Sequence, residues 1–194
     1  MKPFIILFSI LSIVIASCTN SKQSNENTAS KELIKKKSSI DRMISDSTLL
    51  VFVKVKGKSK LVSVIDRRYP QKIETTYNIF KDKQDRIVFI SEMPFNDTSE
   101  WFISYKSYFD EQGKLFAFQR LNNFLNNKCT HGAAMENSIG YYNDQFKLID
   151  SLYTITDSYK KPLDKNACKF PYNFKYTVIK NLKEYKTIKN IPSI

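Results

Sequence analysis

The sequence predicts a mainly β protein, an antiparallel meander of about seven to nine strands with one N-terminal helix. Three observations predict it. Apolar and polar residues alternate with a period of two over most of the chain after Thr48. The alternating segments are rich in Val, Ile, Tyr and Phe, which suit a pleated surface. Turn-forming residues separate them at strand-length intervals. An open curved sheet, a sandwich and a barrel-like sheet all fit this pattern.

The first seventeen residues have the layout of a secretory signal peptide. Lys2 supplies a positive charge, Phe4 to Ile15 form an apolar run, and the small residues Ala16 and Ser17 follow. As a helix, this run spans about 20 Å, which is short of the ~30 Å hydrocarbon core of a bilayer. The pattern therefore favours a cleaved leader over residues 1–17 rather than an uncleaved membrane anchor.

Ile15-Ala16-Ser17-Cys18 resembles the lipobox of bacterial lipoproteins. The resemblance implies that Cys18 is acylated and becomes the mature N-terminus; an ordinary signal peptide followed by a chance cysteine is the alternative. Polar residues follow, so residues 18–30 are expected to be a lipidated cysteine and a flexible tether. Thr19 rather than Asp follows the cysteine, which favours the outer membrane in a Gram-negative cell and leaves the leaflet open.

Residues 31–194 are expected to form one β-rich domain with a leading helix. Leu33 to Ile44 has Leu33, Ile40 and Ile44 on one side, as in an amphipathic helix, and a short helix is expected at Leu182 to Ile188. A first hairpin is expected to turn near Gly57. The later candidate strands are KIETTYNIF, DRIVFISEM, EWFISYKSYF, KLFAFQRLNNFL, SIGYYN, KLIDSLYTITD and YNFKYTVI.

A weak internal repeat supports hairpin order. YFDEQGKL recurs as YYNDQFKL, and IFKDKQDRI is a looser copy. The Asp and Asn residues favour tight strand reversals because their side chains bond to nearby backbone. These units resemble YD-type and MORN-like β-hairpin repeats, which implies hairpin geometry and no activity. Asp110, Glu111 and Asp144 suggest either a calcium site or solvated turn carboxylates, and the second interpretation is favoured.

Some strands carry apolar residues on both faces. Trp101, Ile103, Tyr105 and Phe109 alternate with Phe102 and Tyr108, while Phe116 and Phe118 are expected to oppose Leu115 and Ala117. A central strand covered on both faces explains this pattern. The alternative is a ligand surface on a curved sheet. Its candidate side chains are Trp101, Phe102, Tyr108, Phe116 and Phe118.

Removing Cys18 leaves Cys129 and Cys168, an even pair that predicts one disulfide in an oxidising envelope. Unpaired thiols are one alternative. The other is a metal or nucleophile role beside His131, the only histidine, but Cys129 and His131 supply too few ligands for zinc on their own. The sequence indicates no metal and no cofactor.

The charge distribution and the absence of catalytic motifs argue against nucleic-acid binding and against catalysis. Lys and Arg exceed Asp and Glu by 31 to 19, giving a formal charge of +12. The basic cluster at Lys31 to Ser39 lacks interleaved aromatic residues, so nucleic acid is an unlikely partner. No HExxH, G-x-S-x-G, C-x-x-C or GxGxxG pattern occurs, so we expect no catalysis.

The segment from Tyr105 to Tyr185 resembles small uncharacterised lipoproteins of the Gram-negative envelope. The resemblance implies a location and no activity. The expected function is binding or structural, with an envelope protein as the partner. One alternative is a carrier of lipid or another amphiphile on an aromatic sheet face. The other is a glycan-binding or glycan-hydrolysing protein that uses Trp101 with Asp97 and Glu100.

Overall fold

The structure is a computed structural model that describes residues 20–45, 48–125, 129–130, 132–168 and 176–194, with side chains from residue 28 onward. Its elements, in chain order, are α1 (Asn20–Met43), β1 (Leu49–Val55), β2 (Val62–Val64), β3 (Ile73–Lys81), β4 (Ile87–Pro94), β5 (Trp101–Phe109), β6 (Leu115–Phe124), β7 (Ala134–Tyr142), β8 (Leu148–Thr156) and α2 (Leu182–Lys189).

The strands form one open antiparallel sheet of eight strands in the order β2-β1-β3-β4-β5-β6-β7-β8. The predicted fold class is therefore confirmed, and the sheet is open rather than closed into a barrel. Neighbouring strands are almost always consecutive in the chain, because each pair is joined by a short antiparallel connection. The edge strands are β2 and β8.

We call the face of the sheet that α1 covers the front face. Ile40 is buried there in a cluster that Leu33 and Ile44 also join, as the sequence predicted. The cluster lies beside the turns that follow β3, β5 and β7, so α1 covers only that end of the front face. The cluster's buried members are Ile40, Phe80, Val88, Phe89, Tyr108, Phe116, Ala117, Ile139 and Tyr141.

The flexible tether expected over residues 18–30 is corrected by the extent of α1. Residues 20–30 are helical and continue without a break into the packed part of α1. The stretch contains neither Gly nor Pro, the strongest helix breakers, so the packed turns can propagate the helix toward the N-terminus.

We call the opposite face the back face, and α2 packs on it. Tyr185 of α2 is fully buried and meets the ring of Phe109 edge-on, with ring centroids 6.0 Å apart. Asn181 caps α2, its side chain accepting a hydrogen bond from the amide of Glu184 at 2.8 Å. A sheet with helices on both faces explains why its central strands are apolar on both sides.

Four turns share one hydrogen-bond pattern. In the turn at Asp110, the side-chain Oδ1 accepts from the amides of Gln112 at 3.0 Å and Lys114 at 2.7 Å, and the backbone carbonyl accepts from the Gly113 amide at 3.0 Å. The same pattern repeats at Asp82, Asn143 and Asp157. The first three are the predicted repeat; the fourth, DSYKK, was not foreseen.

The fourth position of each turn has a positive φ. It is held by Gly113 at 74°, but by Asp85 at 63°, Phe146 at 61° and Lys160 at 65° in the other turns. Bulges at Lys81, Phe109 and Tyr142 accompany the first three turns. The side-chain bonds of Asp and Asn therefore hold a backbone shape that usually selects glycine.

Two expectations about strands were wrong. The bulge opposite Phe109 inserts Phe116 as an extra residue, so Phe116 lies on the front face with Ala117 while Phe118 and Leu115 pack on the back. The last predicted strand, YNFKYTVI, is not a strand over residues 176–179; residues 172–175 lie outside the described residues. Residues 176–179 lie beside the back-face core, which includes Ile179 and against which Val178 packs.

Cys129 and Cys168 form the predicted disulfide, with Cα atoms 5.0 Å apart. It joins the segment after β6 to the segment after β8. In the loop-entropy model, a closed loop of this length stabilises a fold by about 4 kcal/mol.

Candidate binding surfaces

The back face contains a buried carboxylate that holds the C-terminal segment. Glu92 on β4 accepts hydrogen bonds from the hydroxyls of Tyr176 at 3.0 Å and Tyr185 at 3.1 Å, and pairs with Lys189 at 2.9 Å. Burial, followed by the charge of Glu92, raises the pKa of the Tyr176 phenol well above its ordinary value. The phenol therefore stays protonated and remains a donor.

A second buried carboxylate lies on the back face near β8. Glu136 accepts from Arg120, from the side-chain amide of Asn122 and from the Tyr153 hydroxyl. Burial, followed by the hydrogen bond to Glu136, raises the pKa of Tyr153 to about 12. Arg120 Nε and Asn122 Oδ1 are buried and have no hydrogen-bond partner among the residues that the structure describes. The group is a polar bridge across β6, β7 and β8.

A polar network joins α1 to the front face. Asp41 on α1 accepts from the Tyr108 hydroxyl at 2.7 Å and from Lys37 Nζ at 2.7 Å. Lys37 also lies 4.7 Å from the centre of the Tyr108 ring. Each oxygen of the Asp41 carboxylate therefore accepts one hydrogen bond.

Beyond α1, the front face has an open area that none of the described helices or strands covers. Lys106 on β5 lies at the end of this area nearest α1, opposite Ser91 on β4 and Gln119 on β6. By strand alternation, Phe102 and Ser104 share this face with Lys106. We define the open area by Met93, Phe102, Lys106, Leu121 and Met135, whereas Ser104 on the same face is only 2% exposed.

The open area mixes apolar and polar side chains, because Asn123 lies opposite Phe102 and Met135 on the same face and Asn137 lies opposite Leu121. Phe102 is 46% exposed and Met135 is 38% exposed, while Met93 and Leu121 are partly buried. The Ser104 hydroxyl is bonded to that of Ser91 at 2.9 Å. Its apolar side chains thus remain available for contact.

A cleft of about 500 Å³ ends the open area, at the end of the sheet farthest from α1. Asn96 shapes the β4–β5 loop beside it, accepting from the Thr98 amide at 3.0 Å and donating to the Trp101 carbonyl at 3.0 Å. The apolar side chains that line the cleft are Met93, Pro94, Phe95, Trp101, Phe102 and Leu125. A cleft of this size and lining suits part of a small apolar ligand.

The outer side of β8 is an unpaired strand edge. The Ile155 carbonyl accepts from the Leu163 amide at 3.0 Å on that side. Because backbone groups alternate in direction along a strand, the groups of Tyr153 and Ser151 point outward as well. Among the described residues, no strand pairs with them; the Ser151 amide donates instead to the neighbouring Asp150 carboxylate at 2.8 Å.

The five aromatic residues predicted as one ligand face do not share a surface. Tyr108 and Phe116 are buried beneath α1 in the front-face cluster. Phe118 lies on the back face, with ring centroids 6.4 Å from Tyr105. Trp101 and Phe102 alone come together, in the lining of the cleft.

The acidic candidates have structural surroundings. Asp110 is occupied by its turn, and Glu111 pairs with Lys36 at 2.9 Å. Asp97 and Glu100 are exposed in the loop between β4 and β5. Across the part of the chain with described side chains, no three acidic, Cys or His residues are grouped as metal ligands would be.

Two sequence candidates lie outside the described residues: Cys18, the expected lipidation site, and His131. Cys129 and Cys168 are engaged with each other, which leaves no free thiol between them. None of the described helices is long and apolar enough to span a membrane.

Sequence reasoning missed Glu92, Lys106 and the β8 edge. Glu92 and Lys106 are polar residues within strands, and period-two alternation places them on a face without revealing their neighbours. The cation of Glu92, Lys189, is 97 residues away in the chain. The length and low charge of LIDSLYTIT are a signal that could have identified the exposed edge.

Comparisons of the chain with models of protein families, with curated proteins and with solved structures found no match.

Proposed function

We propose that this protein is a lipid-anchored envelope protein with no catalysis of its own, and that it binds a partner protein by adding one of the partner's strands to β8. Cys18 carries the anchor in this proposal, as the lipobox-like sequence suggests. The observation that carries the binding proposal is the unpaired outer side of β8.

The two edges of the sheet differ in the features that normally prevent strand addition. The β2 edge is three residues long, and Lys58 and Lys60 are exposed in the connection before it. The β8 strand is nine residues long, contains no Pro and has Asp150 as its only charge. Short, charged edges discourage pairing, whereas long and weakly charged ones favour it.

The β8 edge offers both backbone and side-chain contacts. Outward N–H and C=O groups at Ser151 and Tyr153 supply a ladder. Leu152 is 49% exposed on the front face, and Leu148 is 50% exposed on the back face, so each can pack against a side chain on its own side of the added strand. Binding must displace the Asp150 carboxylate from the Ser151 amide. A partner strand compensates for the lost hydrogen bond because its own backbone carbonyl accepts from this amide.

Charge selects the kind of partner. The formal charge of the chain is +12, so two copies repel each other and an acidic segment is attracted. The partner proposed is therefore an extended, net acidic segment of a different protein, with apolar residues at alternate positions.

The test places a photo-crosslinking residue at position 152 in cells that make the full chain. We expect one discrete adduct, with the cross-link in an acidic, extended segment of the partner. Ser151→Pro should abolish it, because proline removes the outward amide and leaves the β7 ladder intact. Ser151→Thr keeps the amide and should preserve the adduct.

A Cys18→Ser variant tests the anchor in the same cells, since it lacks the thiol to be acylated; it should leave the membrane fraction. An adduct that survives Ser151→Pro, an adduct with a second copy of this chain, or no adduct would each overturn the partner proposal. Unchanged membrane association of the Cys18→Ser variant would overturn the anchor.

A further inference from the structure

Lys106 is a partly buried cation in a structure that gives it no acceptor. Across the described residues, no carboxylate lies within ion-pair distance of its amine, and no hydrogen bond to it occurs. Asp41 is the carboxylate whose charge raises the pKa of Lys106, and it already accepts hydrogen bonds from Lys37 and Tyr108, each at 2.7 Å. Burial lowers the pKa of Lys106, Asp41 opposes that shift, and Lys37 adds to it. An unpaired, partly desolvated cation is costly unless something supplies a counter-charge.

The surroundings of Lys106 are those of an amphiphile site. Its residue lies opposite Ser91 on β4, whose hydroxyl is bonded to that of Ser104 at 2.9 Å, and its amine is close enough to α1 for Asp41 and Lys37 to act on it. Phe102 is four residues along the same strand and face, a distance of about 14 Å. The cleft lined by Met93, Trp101 and Leu125 begins there.

We propose that the open area binds a free long-chain carboxylate, with the carboxylate on Lys106 and the hydrocarbon chain running along the front face into the cleft. One unpaired cation matches a monoanion, whereas a phosphate dianion would need further donors. Apolar contact with Phe102, Leu121 and Met135 supplies the remaining affinity. This site lies on the front face, away from the β8 backbone edge, and is independent of the proposed partner binding.

The test uses dodecanoate, kept below its critical micelle concentration, with purified full-length protein. Trp101 is the only tryptophan and lines the cleft, so its fluorescence reports on the chain. We expect a saturable change with one ligand per protein. Lys106→Met keeps the length of the side chain, removes its charge and should weaken binding at least about tenfold, or 1.4 kcal/mol.

Three controls make the result specific. Lys106→Arg retains the charge and should bind within a few-fold of the wild type. Lys60→Met removes an exposed lysine far from the site and should change nothing. Dodecanol, which lacks the carboxylate, should bind the wild type and Lys106→Met equally and weakly.

Equal dodecanoate affinity in Lys106→Met and wild type would overturn the proposal, as would no saturable signal in the wild type. An unaltered melting temperature of Lys106→Met establishes that lost binding is not lost folding. The Ser151→Pro variant should bind dodecanoate normally, so failure of the partner proposal and failure of this one are distinguishable.

Discussion

Glu92 shows how one residue can fix a distant segment. The residue is 7% exposed, and its side chain faces three donors from the last 19 residues of the chain, Tyr176, Tyr185 and Lys189. Removing the charge leaves Lys189 without its counter-ion in a mostly buried position. Buried charges depend on their partners far more than exposed ones do.

We expect Glu92→Gln to lower the free energy of unfolding by about 2–3 kcal/mol. Urea denaturation followed by circular dichroism measures it. The matched control is Glu74→Gln, which breaks a half-exposed pair with Lys54 at 3.8 Å and should cost about 0.5 kcal/mol or less. Equal effects of the two substitutions would contradict the structural role assigned to Glu92.

Residue roles of this kind were the least predictable from sequence. The alternation of WFISYKSYF places Trp101, Tyr105 and Phe109 on one face, which the structure bears out. Alternation could not foresee that a bulge would move Phe116 to the front face, since the extra residue interrupts the period of two within β6. The five aromatic candidates were therefore assigned to a surface that exists only at Trp101 and Phe102.

Among the elements, the Asx-containing turns were the most predictable, and three of the four belong to the predicted repeat. Their Asp or Asn and the basic residue four positions later are visible in the sequence. DSYKK escaped notice because Tyr159 and Lys160 replace the Gln and Gly of the turn at Asp110. Only the first and last residues carry the pattern: the first by its side-chain acceptor, the last by the amide that bonds to it.

Lys160→Gly should stabilise the protein by about 0.5–1 kcal/mol, because Lys160 is exposed and has a φ of 65°. Gly113 holds the equivalent position at 74°, which indicates that glycine fits. Melting temperature is the measurement. Lys161→Gly, one residue later with no positive φ, should instead destabilise by about 0.5–1 kcal/mol; stabilisation by both variants would refute the conformational explanation.

The two helices illustrate opposite limits of sequence reasoning. The short α2 was expected at Leu182 to Ile188 and spans Leu182–Lys189. The start of α1 was placed too late, because the polar residues before Lys31 have no apolar periodicity to reveal a helix. Their helicity is an extension of the packed turns that follow.

At the scale of the whole molecule, the burial of tyrosines makes stability depend on alkaline pH. Burial raises the pKa of Tyr77, Tyr108, Tyr176 and Tyr185 above the ordinary value. Above about pH 10 the unfolded chain loses these protons while the folded chain keeps them. The folded state then binds more protons, so the free energy of unfolding falls as pH rises.

We expect each of these tyrosines to contribute a loss of about 1 kcal/mol between about pH 9 and about pH 11. Lys106, whose pKa is lowered, acts in the opposite sense but is a single group. Denaturant titration at several pH values measures the slope, and tyrosinate absorbance should rise together with unfolding. A flat profile, or ionisation of these phenols before unfolding, would be inconsistent with their burial.

The meander order of the sheet has a consequence for how the chain acquires its structure. Consecutive strands pair with short separations, so hairpins can form rapidly and add to one another. The contacts that close the two faces span much longer separations, 75 residues from Lys36 to Glu111 and 97 from Glu92 to Lys189. We therefore expect the sheet to assemble first and both helices to dock afterwards. Until α2 has been synthesised and secured, the back-face core is open to solvent, and the nascent chain depends on rapid docking or on a chaperone to avoid aggregation.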